Sequence, residues 1–256
     1  LVVSEKEHAA LISVARIHRL MRTLPLGNLP DQTGNAPILI LAPHPDDETL
    51  GCGGLIAQAC AARQPVHVLV LTDGSRSHPN SAAYPAASLR RLREAESRAA
   101  ARALGLAEEN VAFLGLPDTS APHRGEAADR AASLIVAHAR DRGATCLFTS
   151  WRHDPHCDHL AASELGRRAA AQLGARLWEY PVWGWTLPPR RLLPAEEIAG
   201  FRLDISGQLA AKRRAIACHR SQLGQVITDD PTGFTLPDRF LARFTLGTET
   251  YLRTST

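Results

Sequence analysis

The chain has 256 residues, 45% of them hydrophobic, and a formal charge of +3 from 29 basic and 26 acidic side chains. That length suits one large domain with a sizeable core. The even charge balance, with no basic block, excludes a nucleic-acid surface, and the longest apolar run is far too short to cross a bilayer.

Leu1 is followed by a helix candidate from about Glu5 to Arg22, then by a turn-rich stretch, PLGNLPDQTGNAP. APILILA reads as a buried strand, because it is short, branched and apolar. A helix is expected from about Thr49 to Arg63, the strand VHVLVLT at 66–72, and a helix from about Ser88 to Leu104 ending at Gly105. NVAFLG is a third strand, GEAADRAASLIVAHARDRG a third helix, and ATCLFTSW a fourth strand closing at Trp151. A helix from about His159 to Leu173 precedes the strand ARLWEYPVW. After an irregular, proline-rich stretch from Trp183 to Gly200 come the strand FRLDI and a helix from about Gln208 to His219. The tail beyond has no clear pattern.

Strands alternating with helices predict an α/β fold with a mostly parallel sheet covered on both faces. Continuously apolar strands such as VHVLVL are what such a sheet requires. With no internal repeat and no long linker, residues 1–256 are expected to form one domain, its core about 37–219.

The five cysteines, Cys52, Cys60, Cys146, Cys157 and Cys218, are scattered and contain no C-x-x-C pair, so neither a disulfide framework nor a cysteine zinc site is indicated. A reducing, cytoplasmic setting is the expectation. LVVSEKEHAA carries no signal-peptide pattern, and a start at Leu1 rather than Met is consistent with removal of an upstream segment. Lysine occurs only at Lys6 and Lys212.

Chemistry-bearing residues concentrate in two places. LAPHPDDETLGCGG puts His44, Asp46 and Asp47 directly after the first core strand, and RHDPHCDH, Arg152 to His159, follows the fourth. Open parallel sheets bind ligands at the carboxyl ends of their strands, so the clusters meet if the sheet order brings those strands together. Histidine and carboxylate ligands suit zinc, which in catalytic sites takes three protein ligands and a water. His44, one aspartate of the first loop and one histidine of the second would supply them, leaving the other aspartate to accept a proton. Glu48 sits where the helix starts, and Gly51, Gly53 and Gly54 would let that helix pack closely on its neighbours. GCGG lacks the G-x-G-x-x-G spacing of a dinucleotide site. Cys157 reads as a bystander thiol and His153 as a loop-orienting residue.

These motifs resemble the LmbE/PIG-L family of zinc-dependent de-N-acetylases, which act on N-acetylglucosaminyl conjugates. The resemblance runs from about Pro37 to His219 and includes LVLTDGS, the R-x-x-E of Arg93 to Glu96, FLGLPD ending at Asp118, and KRRAIACHRSQ. It implies a Rossmann-like three-layer sandwich and a small amino-sugar conjugate as substrate. It also implies Zn2+ held by His44, Asp47 and His159, with Fe2+ or another divalent metal as an alternative occupant. Asp46 corresponds to the general base and His156 to the residue that, protonated, stabilises the oxyanion, with either of the two able to protonate the departing amine. Asp158 would orient a histidine, and Arg93 and Asp118 would contact the sugar. Where many relatives have H-P-D-H this chain has H-C-D-H, so the loop at Cys157 is expected to be less restricted. A homo-oligomer is compatible with the sequence.

Outside the motifs, Trp183 and Trp185 are candidates for stacking on a ligand or for packing an irregular flap. His219 and Gln222 either reach the site or end a helix. Two other functions fit parts of the pattern. Two histidines and a carboxylate also form the facial triad of non-haem iron(II) oxygenases, and a sugar-binding homologue without catalysis would share the fold.

Overall fold

The computed structural model describes residues 11–195 and 198–253. Strand β1 (Leu11–Ser13) leads into α1 (Val14–Thr23). The expected helix from Glu5 therefore starts later. Residues 1–10 lie outside the described residues, while Leu11–Ser13 is extended because it pairs antiparallel with β8 (Leu192–Pro194). Ser13 caps α1 by accepting from the Arg16 N–H.

The turn-rich stretch holds β2 (Leu26–Gly27) and α2 (Leu29–Thr33), the latter capped by Asn28. The central elements follow the sequence reading closely: β3 (Ile38–Ala42), α3 (Asp47–Ala61), β4 (Val66–Thr72), α4 (Ala86–Ala103) and β5 (Val111–Leu116). After these come α5 (Gly125–Asp141), β6 (Cys146–Ser150), α6 (Cys157–Leu173) and β7 (Arg176–Tyr180). Beyond β8 lie β9 (Gly200–Asp204), α7 (Leu209–Cys218), the one-turn α8 (Asp238–Leu241) and β10 (Thr248–Arg253).

The main sheet has eight strands in the order β5-β4-β3-β6-β7-β10-β9-β2. Pairing is parallel from β5 to β7 and between β9 and β2, while β10 runs antiparallel to both its neighbours. This strand, in the tail without a clear pattern, fills a position inside the sheet. Its polar alternation (TETYLR) is that of a strand whose alternate residues meet different surroundings.

Alternation along β3 and β4 assigns the two faces. Ile38, Ile40 and Ala42 join α3, α4 and α7 residues in one cluster, whereas Leu39 and Leu41 join α5 and α6 residues in another. The result is three layers, helix on sheet on helix. A third cluster places α1 against Trp151, Leu187, Leu193 and Leu252.

Helix α3 packs where a side chain would not fit: a Cβ on Gly51 would run into the Tyr180 ring and one on Gly54 into Ile205. Its middle is tied to β10 by a buried ion pair. Lys212 Nζ lies 2.6 Å from Glu249 Oε1 and donates to the Leu50 carbonyl at 2.7 Å. Glu249 also accepts from the N–H groups of Gly54 and Leu55 and from the Tyr251 hydroxyl.

Candidate active site

Strand order reverses between β3 and β6, which are hydrogen-bonded neighbours from Ile38↔Cys146 to Ile40↔Phe148. Such a switch point opens a crevice at the strands' carboxyl ends, and both sequence clusters lie there. Thr72 of β4 holds the first turn, its N–H and hydroxyl both donating to the Pro43 carbonyl. Asp46 then adopts φ 139°, ψ −29°, a conformation that favours glycine, immediately before Asp47 opens α3. Its N–H donates to Glu48 Oε2 at 3.0 Å. On the other side, the Ser150 hydroxyl donates to the His159 carbonyl and fixes the first turn of α6 to β6.

Two imidazoles converge on one oxygen. Asp47 Oδ2 lies 3.2 Å from His44 Nδ1 and 3.1 Å from His159 Nε2. Each ring is held from behind by a buried carboxylate: His44 Nε2 faces Asp158 Oδ2 at 3.0 Å, and His159 Nδ1 faces Asp154 Oδ2 at 2.9 Å. Asp158 is in turn fixed by the N–H groups of Thr119 and Ala121. Asp154 receives those of Val182, Trp183 and Gly184.

This arrangement fits a divalent cation. His159 Nε2 is buried and, beyond its approach to Asp47, has no hydrogen-bond partner among the described residues, and carboxylates behind metal-ligating imidazoles fix their orientation and raise their basicity. Burial opposes a charge on either ring. Even so, the carboxylates of Asp118, Asp158 and Asp47 hold His44 well above its usual pKa, and Asp47 and Asp154 raise His159 to about 9. The pocket calls for positive charge. Donor atoms of His44, His156 and His159 also lie within 4.8 Å of one another.

Asp46 sits beside this group without contacting either imidazole. Burial pushes its carboxyl up to about 8, against the pull of the Arg93 guanidinium 3.2 Å away. Arg93, expected at the sugar, is only 4% exposed. Its guanidinium donates to Asp46 Oδ2 and to the carbonyls of Pro45 and Gly74 while bordering the cleft. Asp118 Oδ2 accepts from the Arg76 N–H and Oδ1 lies 3.4 Å from His44 Nε2, which with burial opposed leaves its pKa at about 2.

His156 caps α6, its Nδ1 accepting from the Asp158 N–H at 3.2 Å. Burial and the neighbouring His44 and His159 lower its pKa to about 4. The hydrogen bond at Nδ1 leaves Nε2 as the ring nitrogen that carries a proton toward the cleft.

The cleft, about 190 Å³, is bounded by His44, Asp46, Asp47 and His156 on one side and by Trp183, Phe234 and Leu236 on the other. Trp183 stacks on Phe240 at 4.2 Å and presents its edge to Phe234, whereas Trp185 lies over His18. Gln222 lines the cleft with a buried Oε1 that has no partner among the described residues. His219 ends α7 and meets the Thr49 hydroxyl at 3.0 Å. Cys157 is exposed, 4.0 Å from His156 Nδ1. Sequence reasoning missed Asp154. The available signal was a second acid within RHDPHCDH, five positions before His159.

Comparison with known proteins agrees with this geometry. The family model described as "PIG-L: GlcNAc-PI de-N-acetylase" matches residues 39–170. The 2'-N-acetylparomamine deacetylase of Streptomyces fradiae is 31% identical over 220 residues, covering 75% of this chain and 74% of that protein. The 1D-myo-inositol 2-acetamido-2-deoxy-alpha-D-glucopyranoside deacetylase of Rhodococcus erythropolis is 28% identical over 250 residues, covering 77% and 83%. Among solved structures, GalB, the 4-carboxy-2-hydroxymuconate hydratase of Pseudomonas putida KT2440, superposes with a TM-score of 0.65 at 17% identity, covering 86% of this chain and 97% of that one. That likeness is one of fold alone, and it shows that the fold carries more than one reaction. The family match and the deacetylase relatives decide between them: the chain belongs to the PIG-L family of de-N-acetylases, metal-dependent enzymes that hydrolyse an acetamide bond.

Proposed function

We propose that this protein removes the N-acetyl group of a small 2-acetamido-sugar conjugate, using zinc held by His44, Asp47 and His159. The observation that carries the reading is the convergence of His44 Nδ1 and His159 Nε2 on Asp47 Oδ2, with the Asp46 carboxylate beside them in a cleft sized for one sugar unit. A zinc ion bound there supplies Lewis-acid chemistry, polarising an amide carbonyl and acidifying a water.

The protein's own groups perform the proton transfers. Asp46 accepts the proton of the attacking water, and Arg93 holds that carboxylate in place. His156 donates its Nε2–H to the oxygen that becomes negative when the amide carbonyl turns tetrahedral, a contribution of about 3 kcal/mol for one such donor. Asp46 then returns its proton to the departing amine. Its pKa, raised by burial, suits it to hold a proton between the two steps. Asp158 orients His44, and Asp118 offers a carboxylate oxygen to sugar hydroxyls at the cleft edge.

We read residues 1–256 as one domain, a reading supported by a single sheet running from β2 to β10. Among the described residues no helix is long and apolar enough to span a membrane. The iron(II) oxygenase alternative loses its support, because such enzymes are usually built on a double-stranded β-helix and this chain forms a mostly parallel sheet alternating with helices.

The test is acetate release by the zinc-loaded protein from a panel of N-acetylglucosaminyl-inositol, diacetylchitobiose and N-acetylated aminoglycosides. Release from at least one member is expected, with Asp46→Asn keeping its metal and losing most turnover. Absence of acetate from every member would overturn the reading.

A further inference from the structure

A second cavity lies behind the metal-site helix. It measures about 120 Å³, whereas one water needs roughly 10–15 Å³, and it is lined by Arg22, Arg202 and Arg243 from three separate elements. Its apolar walls include Trp185 and Phe244. Arg22 comes from the end of α1, Arg202 from β9, and Arg243 from the turn after α8.

No carboxylate among the described residues pairs with these guanidiniums. Arg202 donates through Nε to the Leu24 carbonyl, but Arg22 and Arg243 have no hydrogen bond or ion pair to any described residue. The carboxylate that lines the cavity, Glu249, is already saturated by Lys212, the Gly54 and Leu55 N–H groups and the Tyr251 hydroxyl. The neighbouring His18 senses the charge: burial lowers its pKa, its hydrogen bond to the Gly184 carbonyl raises it, and Arg22 and Arg243 lower it further. Three arginines lining one concave, partly aromatic cavity form a binding arrangement, since guanidiniums recognise carboxylate and phosphate by paired hydrogen bonds.

We propose that this cavity binds a small organic anion, a phosphoryl or carboxylate group joined to an apolar body, at a site separate from the metal. The anionic group meets Arg22, Arg202 and Arg243, and the apolar body lies against Trp185 and Phe244. Leu50 lines both this cavity and the catalytic cleft, and its carbonyl is held by Lys212. Occupancy therefore reaches the first turns of α3, the helix that carries Asp47.

The experiment titrates the metal-loaded protein with phenyl phosphate and with inorganic phosphate by calorimetry, at constant ionic strength set with chloride. It compares the parent with Arg22→Ser/Arg243→Ser, two surface positions outside the catalytic cleft. Because phosphate also binds metal, the titration is repeated with the metal removed by chelation. Saturable phenyl phosphate binding that survives chelation, exceeds that of inorganic phosphate, and weakens at least about tenfold in the double variant is expected, the loss of two charge-assisted contacts being of that order. Circular dichroism and retained metal content confirm that the double variant is folded. Binding that disappears on chelation, or is unchanged in the double variant, places the anion elsewhere and overturns the proposal. So does an absence of binding in the parent.

Discussion

Asp154 Oδ2 lies 2.9 Å from His159 Nδ1, and neither side chain is exposed to solvent. Three backbone N–H groups, those of Val182, Trp183 and Gly184, complete the shell of this carboxylate. Asp154 thus joins the imidazole that faces Asp47 to the start of the segment carrying Trp183, so the orientation of one is fixed together with the position of the other.

Replacing Asp154 should weaken metal binding although Asp154 is not placed as a ligand. Asp154→Asn is expected to lower affinity about 10–100-fold, as loss of a carboxylate behind a ligating imidazole typically does. Competition with a chromophoric chelator measures it. An unchanged affinity would mean that His159 is held by its helix alone.

Asp46 occupies a backbone conformation that costs about 1–3 kcal/mol for a residue with a side chain. Asp46→Gly and Asp46→Asn should both abolish most turnover, but the glycine variant should be the more stable of the two by about 1 kcal/mol after its greater unfolded-state entropy is counted. Urea unfolding of the metal-free proteins gives the comparison. Equal stabilities would show that the turn relaxes without cost.

The Lys212–Glu249 pair makes an opposite kind of prediction. Lys212→Met strands a buried carboxylate and should cost about 3–5 kcal/mol, whereas Lys212→Met combined with Glu249→Gln should cost distinctly less. Both are read from urea midpoints. If the double variant is as unstable as the single, the ammonium contributes through its bond to the Leu50 carbonyl rather than through the charge.

His219 supplies acid sensitivity. Burial, with Arg93 adding to it, depresses its pKa to about 3. A histidine depressed in the folded state contributes stability that is present above its unfolded pKa, near 6.5, and lost as pH falls toward the folded value. From pH 7 to pH 5 the loss amounts to about 2 kcal/mol. His219→Gln, which keeps a partner for the Thr49 hydroxyl, should lose that much less over the same interval. Identical pH slopes for the two proteins would exclude His219 as the source.

Much of this site was visible in the sequence because it is assembled from short segments that each follow an apolar strand. His44, Asp46 and Asp47 lie within four positions, and His156 and His159 within four more, so the parallel-sheet rule alone placed them at one edge. Asp154 stood in the same cluster, but its role depends on residues 182–184 folding back over it, a contact no local pattern records. Strand β10 was illegible for a related reason. Its residues Glu249 and Tyr251 meet α3 and α7, nearly 200 positions earlier and some 35 earlier respectively, and only those partners make its polar positions buried. At the other end, Leu11–Ser13 continues the apolar spacing of α1, and only pairing with β8 makes it a strand.

The position of β10 also governs the order in which this chain can be built. The last strand among the described residues is the one that joins β7 to β9 and, through β9, to β2. Until residues 248–253 emerge, β7 is an open sheet edge, a surface prone to pairing with other chains, and β2 and β9 have no neighbour linking them to the sheet. Glu249 arrives at the same moment, so the side of α3 that it ties down is completed last. The helix that presents Asp47 therefore reaches its final anchorage only after β10 has emerged, so metal-binding competence waits on a strand some 90 residues beyond the last metal-site motif.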